Sequence, residues 1–321
     1  MTDTPSAEPL DPDEVTDWTD HDRPVVVTGA NGFVGAAVCV ALLERGVPVR
    51  GVVRRPGTAP QGVEEVVGDF ADPATAERLV DGADAVVTTV YPMADGVDLA
   101  TQRAVSVDGT TTLARAAARA GLERLVHVST AAVYDRSPGA GDCPESGRLV
   151  ADDAGDYAVT KRDTDAALAA GDLDGLTRVL VRPPAILGAG ETSMWNTARP
   201  AEIAEDDALR HASPETTFAW VHVRDLAALV AQLATGRVPF ADDPEHGPVA
   251  GACTAVNVAG EPATQRDYVG TVCEALGVEP TWDAETGWTG RIVTDRATRW
   301  GWTPRVTLAE ALRELGDGLR R

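Results

Sequence analysis

The chain has 321 residues, 44% of them apolar and 24% charged, which suits one large core or a large domain with a smaller one attached. A net charge of −22 argues against binding DNA or RNA through phosphate neutralisation, and no apolar run is long enough to span a bilayer. The four cysteines, Cys39, Cys143, Cys253 and Cys273, form no CxxC pair, so a reduced, cytoplasmic protein fits better than a disulfide scaffold or a zinc site.

Residues 1–22 hold eight acids, no Lys or Arg and no apolar stretch. They read as a disordered acidic arm that adds little to any core and is not a secretory signal. A short apolar run at 25–28 leads into Gly-rich 29–35 and a helical stretch to Arg45, stopped by Gly46. Residues 49–53 and 65–67 read as the next two strands, 85–90 as a fourth, and 99–120 as one long Ala-rich helix. A fifth strand at 125–129, a helix at 157–170 and a sixth strand at 177–181 continue the alternation. Continuously apolar strands between helices imply a parallel sheet covered on both faces, an α/β doubly wound (Rossmann) architecture. After Arg182 the rhythm breaks. Residues 183–215, rich in Pro, Gly and acids, read as loops around one short helix. A strand at 218–221, a helix at 225–234 and a strand at 255–258 follow, with helices around short strands from 261 onward.

Gly29, Gly32 and Gly35 recur at intervals of three between a strand and a helix. Gly29 permits the tight turn, Gly32 lets backbone N–H groups reach a pyrophosphate, and Gly35 lets helix and strand approach. That context implies a dinucleotide site. About twenty residues further on, an acid would hold a ribose 2′-hydroxyl, but Arg54 stands there, followed by Arg55. A guanidinium suits a 2′-phosphate, which favours NADP with NAD still open; alternatively both are solvated surface arginines. Asp69 closes the third strand, where it either accepts from an adenine amino group or caps the helix from Pro73. The cofactor site is expected to comprise Gly29, Asn31, Gly32, Phe33, Val34, Gly35, Arg54, Asp69, Phe70, Val90, Lys161 and Pro183. The expected division is an arm at 1–22, an NAD(P)-binding domain at 23–182 completed by 216–260, and a small C-terminal substrate-binding lobe from 183–215 and 261–321.

Tyr157 and Lys161 stand four apart on one helical face. A free phenol titrates near pH ~10, too high for acid/base work at neutrality, and a neighbouring ammonium favours the phenolate. Lys161 is the only lysine among 28 basic residues, placed where a compact ammonium is needed and Arg is no equivalent.

With these motifs in place, the chain resembles the extended short-chain dehydrogenase/reductases, the NAD-dependent epimerase/dehydratase family. The TGxxGxxG spacing, His127-Val-Ser-Thr-Ala-Ala-Val-Tyr134, Arg182-Pro-Pro-Ala-Ile-Leu-Gly188, Phe218-Ala-Trp-Val-His-Val-Arg-Asp-Leu226 and Trp300-Gly-Trp-Thr-Pro304 follow in that family's order. The resemblance implies Tyr157 as general acid/base, Lys161 as the ribose ligand that lowers the tyrosine pKa, and Thr130 as the hydroxyl on the reacting oxygen. Pro183 would face the nicotinamide.

Departures narrow the expectation. Ser106 replaces the Asn of an NxxGT motif, which puts a water relay through that amide in doubt. Ala131 and Ala132 follow Thr130 where 4,6-dehydratases carry Asp-Glu. The stretch between Gly188 and Phe218 lacks the Gly-rich, Arg-bearing segment that grips a nucleotide-sugar diphosphate. A smaller carbonyl or alcohol is therefore expected as substrate, bounded by Tyr91, Met93, Ala131, Met194 and Trp195, although core packing explains Met and Trp equally well. His222 is expected to orient backbone. The activity expected is reduction of a ketone or oxidation of a secondary alcohol. An epimerase on a sugar-like substrate is the alternative, and a non-catalytic NADP sensor a third class. A homodimer is one open assembly; neither nucleic acid nor membrane is an expected partner.

Overall fold

The computed structural model describes residues 18, 21–92, 97–173 and 175–320. β1 (Val25–Thr28), α1 (Phe33–Leu43), β2 (Val49–Val53) and β3 (Glu64–Val67) form the first half-unit. α2 (Pro73–Val80), β4 (Ala85–Thr88), α3 (Leu99–Arg103), α4 (Thr110–Arg119), β5 (Arg124–Val128), α5 (Asp156–Ala170) and β6 (Thr177–Arg182) follow. The remainder contributes β7 (Ala185–Leu187), α6 (Arg199–Glu205), β8 (His211–Ala212), β9 (Trp220–His222), α7 (Val223–Ala234), β10 (Cys253–Asn257), α8 (Gln265–Leu276), β11 (Thr281–Trp282), α9 (Asp295–Arg299) and α10 (Leu308–Leu319).

Seven strands make one sheet in the order β10-β6-β5-β4-β1-β2-β3, every pair parallel. Because side chains alternate along a strand, each strand feeds two cores. Val25, Val27, Val87, Val126, Val128 and Val181 pack under α1 and α7, while Val26, Val86, Leu125 and Leu180 pack under α2, α4 and α5. This is the doubly wound arrangement, and its strand order reverses between β1 and β4. A crevice at the carboxyl ends of those strands is where such sheets bind ligands.

Three features depart from the expected elements. The helix expected at 99–120 is broken by a π-helical turn at Ala104–Gly109 between α3 and α4. Gly109 there lies against the Phe70 ring, where a Cβ would come within 3.0 Å. The strand expected at 218–221 is β9, which pairs in parallel with β7 in a separate two-stranded sheet. A third core surrounds it, with Leu187, Phe218, Trp220, Tyr268 and Leu315 buried together. Asp72 rather than Asp69 caps α2, its carboxylate accepting from Thr75 N–H at 2.9 Å.

The expectation that residues 1–22 supply little core is corrected at Trp18. Its side chain is 4% exposed and lies between the guanidiniums of Arg45 and Arg237, 5.1 and 5.4 Å from the ring centroid. His21 pairs with Asp84 at 3.0 Å. Composition did not reveal this anchor, because one buried tryptophan hardly changes the average of an acidic segment. Trp18→Ala is expected to cost about 3 kcal/mol, within the range for emptying a buried tryptophan site, and to lower the urea midpoint at unchanged slope.

Candidate active site

The loop Gly29–Gly35 joins β1 to α1 with the glycines placed as their chemistry requires. Gly29 has φ +68, a conformation that disfavours any side chain, and a Cβ on Gly35 would sit 2.0 Å from the Gly29 carbonyl oxygen. Gly32 caps α1 without a side-chain hydrogen bond, so the first N–H groups of that helix, on Phe33, Val34 and Gly35, have no intrahelical acceptor. This cradle of backbone donors at a helix N-terminus fits a pyrophosphate.

The remaining residues expected around a dinucleotide follow the carboxyl ends of β2, β3, β4 and β6. Asn31 donates to Thr58 Oγ1 at 3.4 Å, tying the glycine loop to the turn after β2. Arg54 and Arg55 on that turn are exposed and make no ion pair among the described residues. Glu65 closes the turn by accepting from the N–H groups of Gly57, Thr58 and Ala59. Asp69 is exposed beyond β3, where its carboxylate accepts from Ala71 N–H at 2.9 Å. Phe70 is buried against Gly109, and Val90 lies beside Gly29. Phe33 packs against the backbone of Gly188 and Gly190, and Pro183 is buried with its carbonyl accepting from Ala131 N–H at 2.8 Å.

Thr130, Tyr157, Lys161 and Tyr91 meet above β4 and β5. Thr130 caps the short 3₁₀ turn Ala131–Val133; its Oγ1 accepts from Ala132 N–H at 3.1 Å, which leaves the hydroxyl proton to donate elsewhere. Tyr157 is 39% exposed, yet burial around its hydroxyl pushes the phenol pKa up, opposed by a hydrogen bond with Thr130 and by the charge of Arg136. Tyr91 packs edge-on against Tyr157 with centroids 4.8 Å apart, and its hydroxyl donates to Gln102. Lys161 is 3% exposed, donates to Val128 O at 3.0 Å and lies 5.8 Å from the Tyr91 ring centroid. Burial pulls its pKa from 10.5 to about 8, with Asp165 opposing the fall. His127 beneath it bonds Thr88 Oγ1 at 2.7 Å and stays neutral, since burial and the nearby ammonium hold its pKa well below the usual imidazole value.

The sole lysine makes that titration directly observable. In protein labelled with ¹³C at lysine Cε, one resonance should titrate with a midpoint near 8. A midpoint at the ordinary 10.5 would show that the ammonium is solvated rather than buried.

Asp165 was not singled out from the sequence, although its spacing exposes it: Tyr157, Lys161 and Asp165 follow one another at four-residue steps on α5. It is 4% exposed and accepts from Arg182 Nε at 2.9 Å. Arg182 Nη1 donates to Tyr134 Oη at 2.7 Å, Tyr134 donates to Asn257 Oδ1 at 2.8 Å, and Asn257 Nδ2 donates to the carbonyls of Cys143 and Val293. A buried polar network thus joins α5 to the ends of β6 and β10.

The residues expected to wall the substrate pocket divide. Tyr91 and Ala131 adjoin the constellation, the latter fully buried at the start of the 3₁₀ turn. Trp195 packs edge-on against Phe218 and Tyr268, and Tyr268 donates to its carbonyl at 2.7 Å. No hydrogen bond or ring contact joins Met194 or Trp195 to Thr130, Tyr157 or Lys161. Met93 lies outside the described residues. His222 caps α7, its Nδ1 accepting from Arg224 N–H at 3.2 Å.

Comparisons with known proteins place these motifs in context. Residues 25–239 match the model of the NAD dependent epimerase/dehydratase family. A 2-alkyl-3-oxoalkanoate reductase of Stenotrophomonas maltophilia is 30% identical over 261 residues, 79% of this chain and 76% of that protein. A ceramide reductase of Caulobacter vibrioides is 33% identical over 214 residues, which span 65% of this chain and 60% of that protein. Among solved structures, a Thermus thermophilus UDP-glucose 4-epimerase in complex with NAD superposes with TM-score 0.68 at 24% identity, covering 92% of this chain and 99% of that one. No helix among the described residues is long and apolar enough to cross a membrane.

Proposed function

Because the chain belongs to the NAD-dependent epimerase/dehydratase family, we propose that it is an NADP-dependent oxidoreductase that reduces a ketone, or in reverse oxidises a secondary alcohol. The observation carrying this reading is the meeting of Thr130, Tyr157, Lys161 and Tyr91 at the crevice beside the glycine cradle. The reductase names of the two relatives support a carbonyl as substrate.

The dinucleotide, when bound, supplies or accepts the hydride. Tyr157 gives the substrate oxygen its proton, Thr130 donates a hydrogen bond to the same oxygen, and Lys161 binds the ribose and biases Tyr157 toward ionisation. Buried Phe70 and half-buried Val90 fit the sides of an adenine, and unpaired Arg54 fits a 2′-phosphate. The third core, around β7, β9 and α8, would border the substrate side.

The test is a panel of ketones incubated with the purified protein and either NADPH or NADH. Oxidation of NADPH in step with alcohol formation is the expected result. Interconversion of a sugar-like substrate without net cofactor consumption would identify an epimerase, and no turnover with any carbonyl would favour a sensor. Arg54→Asp should weaken NADPH binding roughly 10- to 100-fold, through loss of charge-assisted contacts, while sparing NADH. Equal affinity of the unaltered protein for NADH and NADPH would remove the case for NADP.

A further inference from the structure

Arg136 follows the 3₁₀ turn that Thr130 caps, on the segment leading on from β5. Acids outnumber bases in this chain by 50 to 28, and the acids beside Arg136 already have arginines of their own. Asp135 pairs with Arg148, and Asp142 pairs with Arg291 at 3.0 Å. Arg136 has no ion pair among the described residues.

Its surroundings are those of a held group rather than a loose surface chain. The guanidinium lies 5.7 Å from the ring centroid of Trp288, which shares one buried cluster with Ala131, Val133 and Tyr134. Trp288 is buried and fixed, its Nε1 donating to Gly141 O at 2.7 Å. The segment carrying Arg136 is tied to the stretch after Trp288 by Cys143 N–H to Arg291 O at 2.8 Å and Val293 N–H to Cys143 O at 3.0 Å. Arg136 and Tyr157 also feel each other's charge: the guanidinium favours the phenolate, and the phenolate favours the guanidinium. Arg136 is exposed as a residue, yet burial of its charged end pulls its pKa below the usual arginine range. A cation close enough to Tyr157 for the two charges to interact, backed by an indole and without an ion pair among the described residues, is free to present its fork of donors to a ligand.

Resting on the reductase reading above, we infer that Arg136 binds a carboxylate on the substrate, so that the ketone reduced at Tyr157 is an oxo acid with its carboxylate a few bonds from the carbonyl carbon. Thr130 and Tyr157 hold one end of such a molecule through its oxygen, and Arg136 holds the other through a bidentate pair. The requirement selects oxo acids over neutral ketones of the same shape, because a neutral group leaves the guanidinium partly desolvated and unpaired.

The test compares acid with ester. 2-Hydroxyhexanoate and 3-hydroxyhexanoate, each against its methyl ester, are titrated calorimetrically into the full chain with and without saturating NADP⁺. For at least one of the two acids the unaltered protein should bind the acid roughly 10- to 100-fold more tightly than its ester. That ratio should fall to near one in Arg136→Leu and lie between the two in Arg136→Lys, which keeps the charge but loses the fork. Equal binding of acid and ester by the unaltered protein, or a ratio preserved in Arg136→Leu, overturns the inference. NADPH oxidation with the matching oxo acids reads the reductase proposal separately. An intact acid-to-ester ratio without NADPH oxidation keeps Arg136 as the carboxylate site and removes the reaction.

Discussion

Tyr157→Phe should lower turnover by roughly 10²- to 10⁴-fold while dinucleotide binding survives, because the ring keeps its shape and its edge contact with Tyr91 but loses the proton. Lys161→Met should damage both steps, since it removes the proposed ribose ligand together with the charge proposed to favour the phenolate. The double variant should be little worse than the poorer single one, as residues acting as a unit are not additive. Burst and steady-state kinetics with a ketone found in the panel would measure each step. Near-normal turnover in Tyr157→Phe would mean that the proton comes from another group.

Arg182→Leu should destabilise the fold by about 3–5 kcal/mol, the usual cost of stranding one member of a buried ion pair. Asp165 would lose the cation at 2.9 Å that opposes the burial of its carboxyl, and Tyr134 would lose a donor at 2.7 Å. Adding Asp165→Asn to Arg182→Leu should recover part of that loss, because no buried charge then lacks its partner. Denaturant midpoints for the two singles and the double form the thermodynamic cycle. Asp165→Asn alone should move the Lys161 titration below about 8, since Asp165 opposes the effect of burial on that ammonium. An unmoved lysine midpoint would make the network purely architectural.

The central sheet was legible because its strands are short, apolar and separated by helices, a pattern that every residue in the window reports. β1 and β2 have the bounds expected from their valines alone. Gly29 and Gly35 were legible because a left-handed turn and a close approach demand glycine there, and Gly32 followed from the spacing between them. Pairing between distant segments was not legible in the same way. Nothing local in Phe218–Val221 distinguishes a strand of the main sheet from one paired with Ala185–Leu187, and the choice belongs to the third core around Phe218 and Trp220. The π turn at Ala104–Gly109 was hidden for a related reason: an Ala-rich run is helical by composition, and the widened turn lies where Gly109 meets the Phe70 ring, a contact no local window reports. Arg136 escaped notice because an arginine's partners, or lack of them, appear only once Asp135 and Asp142 are seen to be taken.

The last strand of the main sheet has a consequence for how the chain matures on the ribosome. Arg178 of β6 finds its neighbour in Cys253 of β10, so β6 remains an open edge until long after its own residues have emerged. Its sequence, Thr-Arg-Val-Leu-Val-Arg, is apolar in the middle and wholly buried once folded. During synthesis that edge is a template for pairing with another nascent chain, and the charges of Arg178, one residue in from its start, and Arg182, at its end, oppose such pairing. The interval between synthesis of β6 and of β10 is therefore the one in which this edge is most open to aggregation.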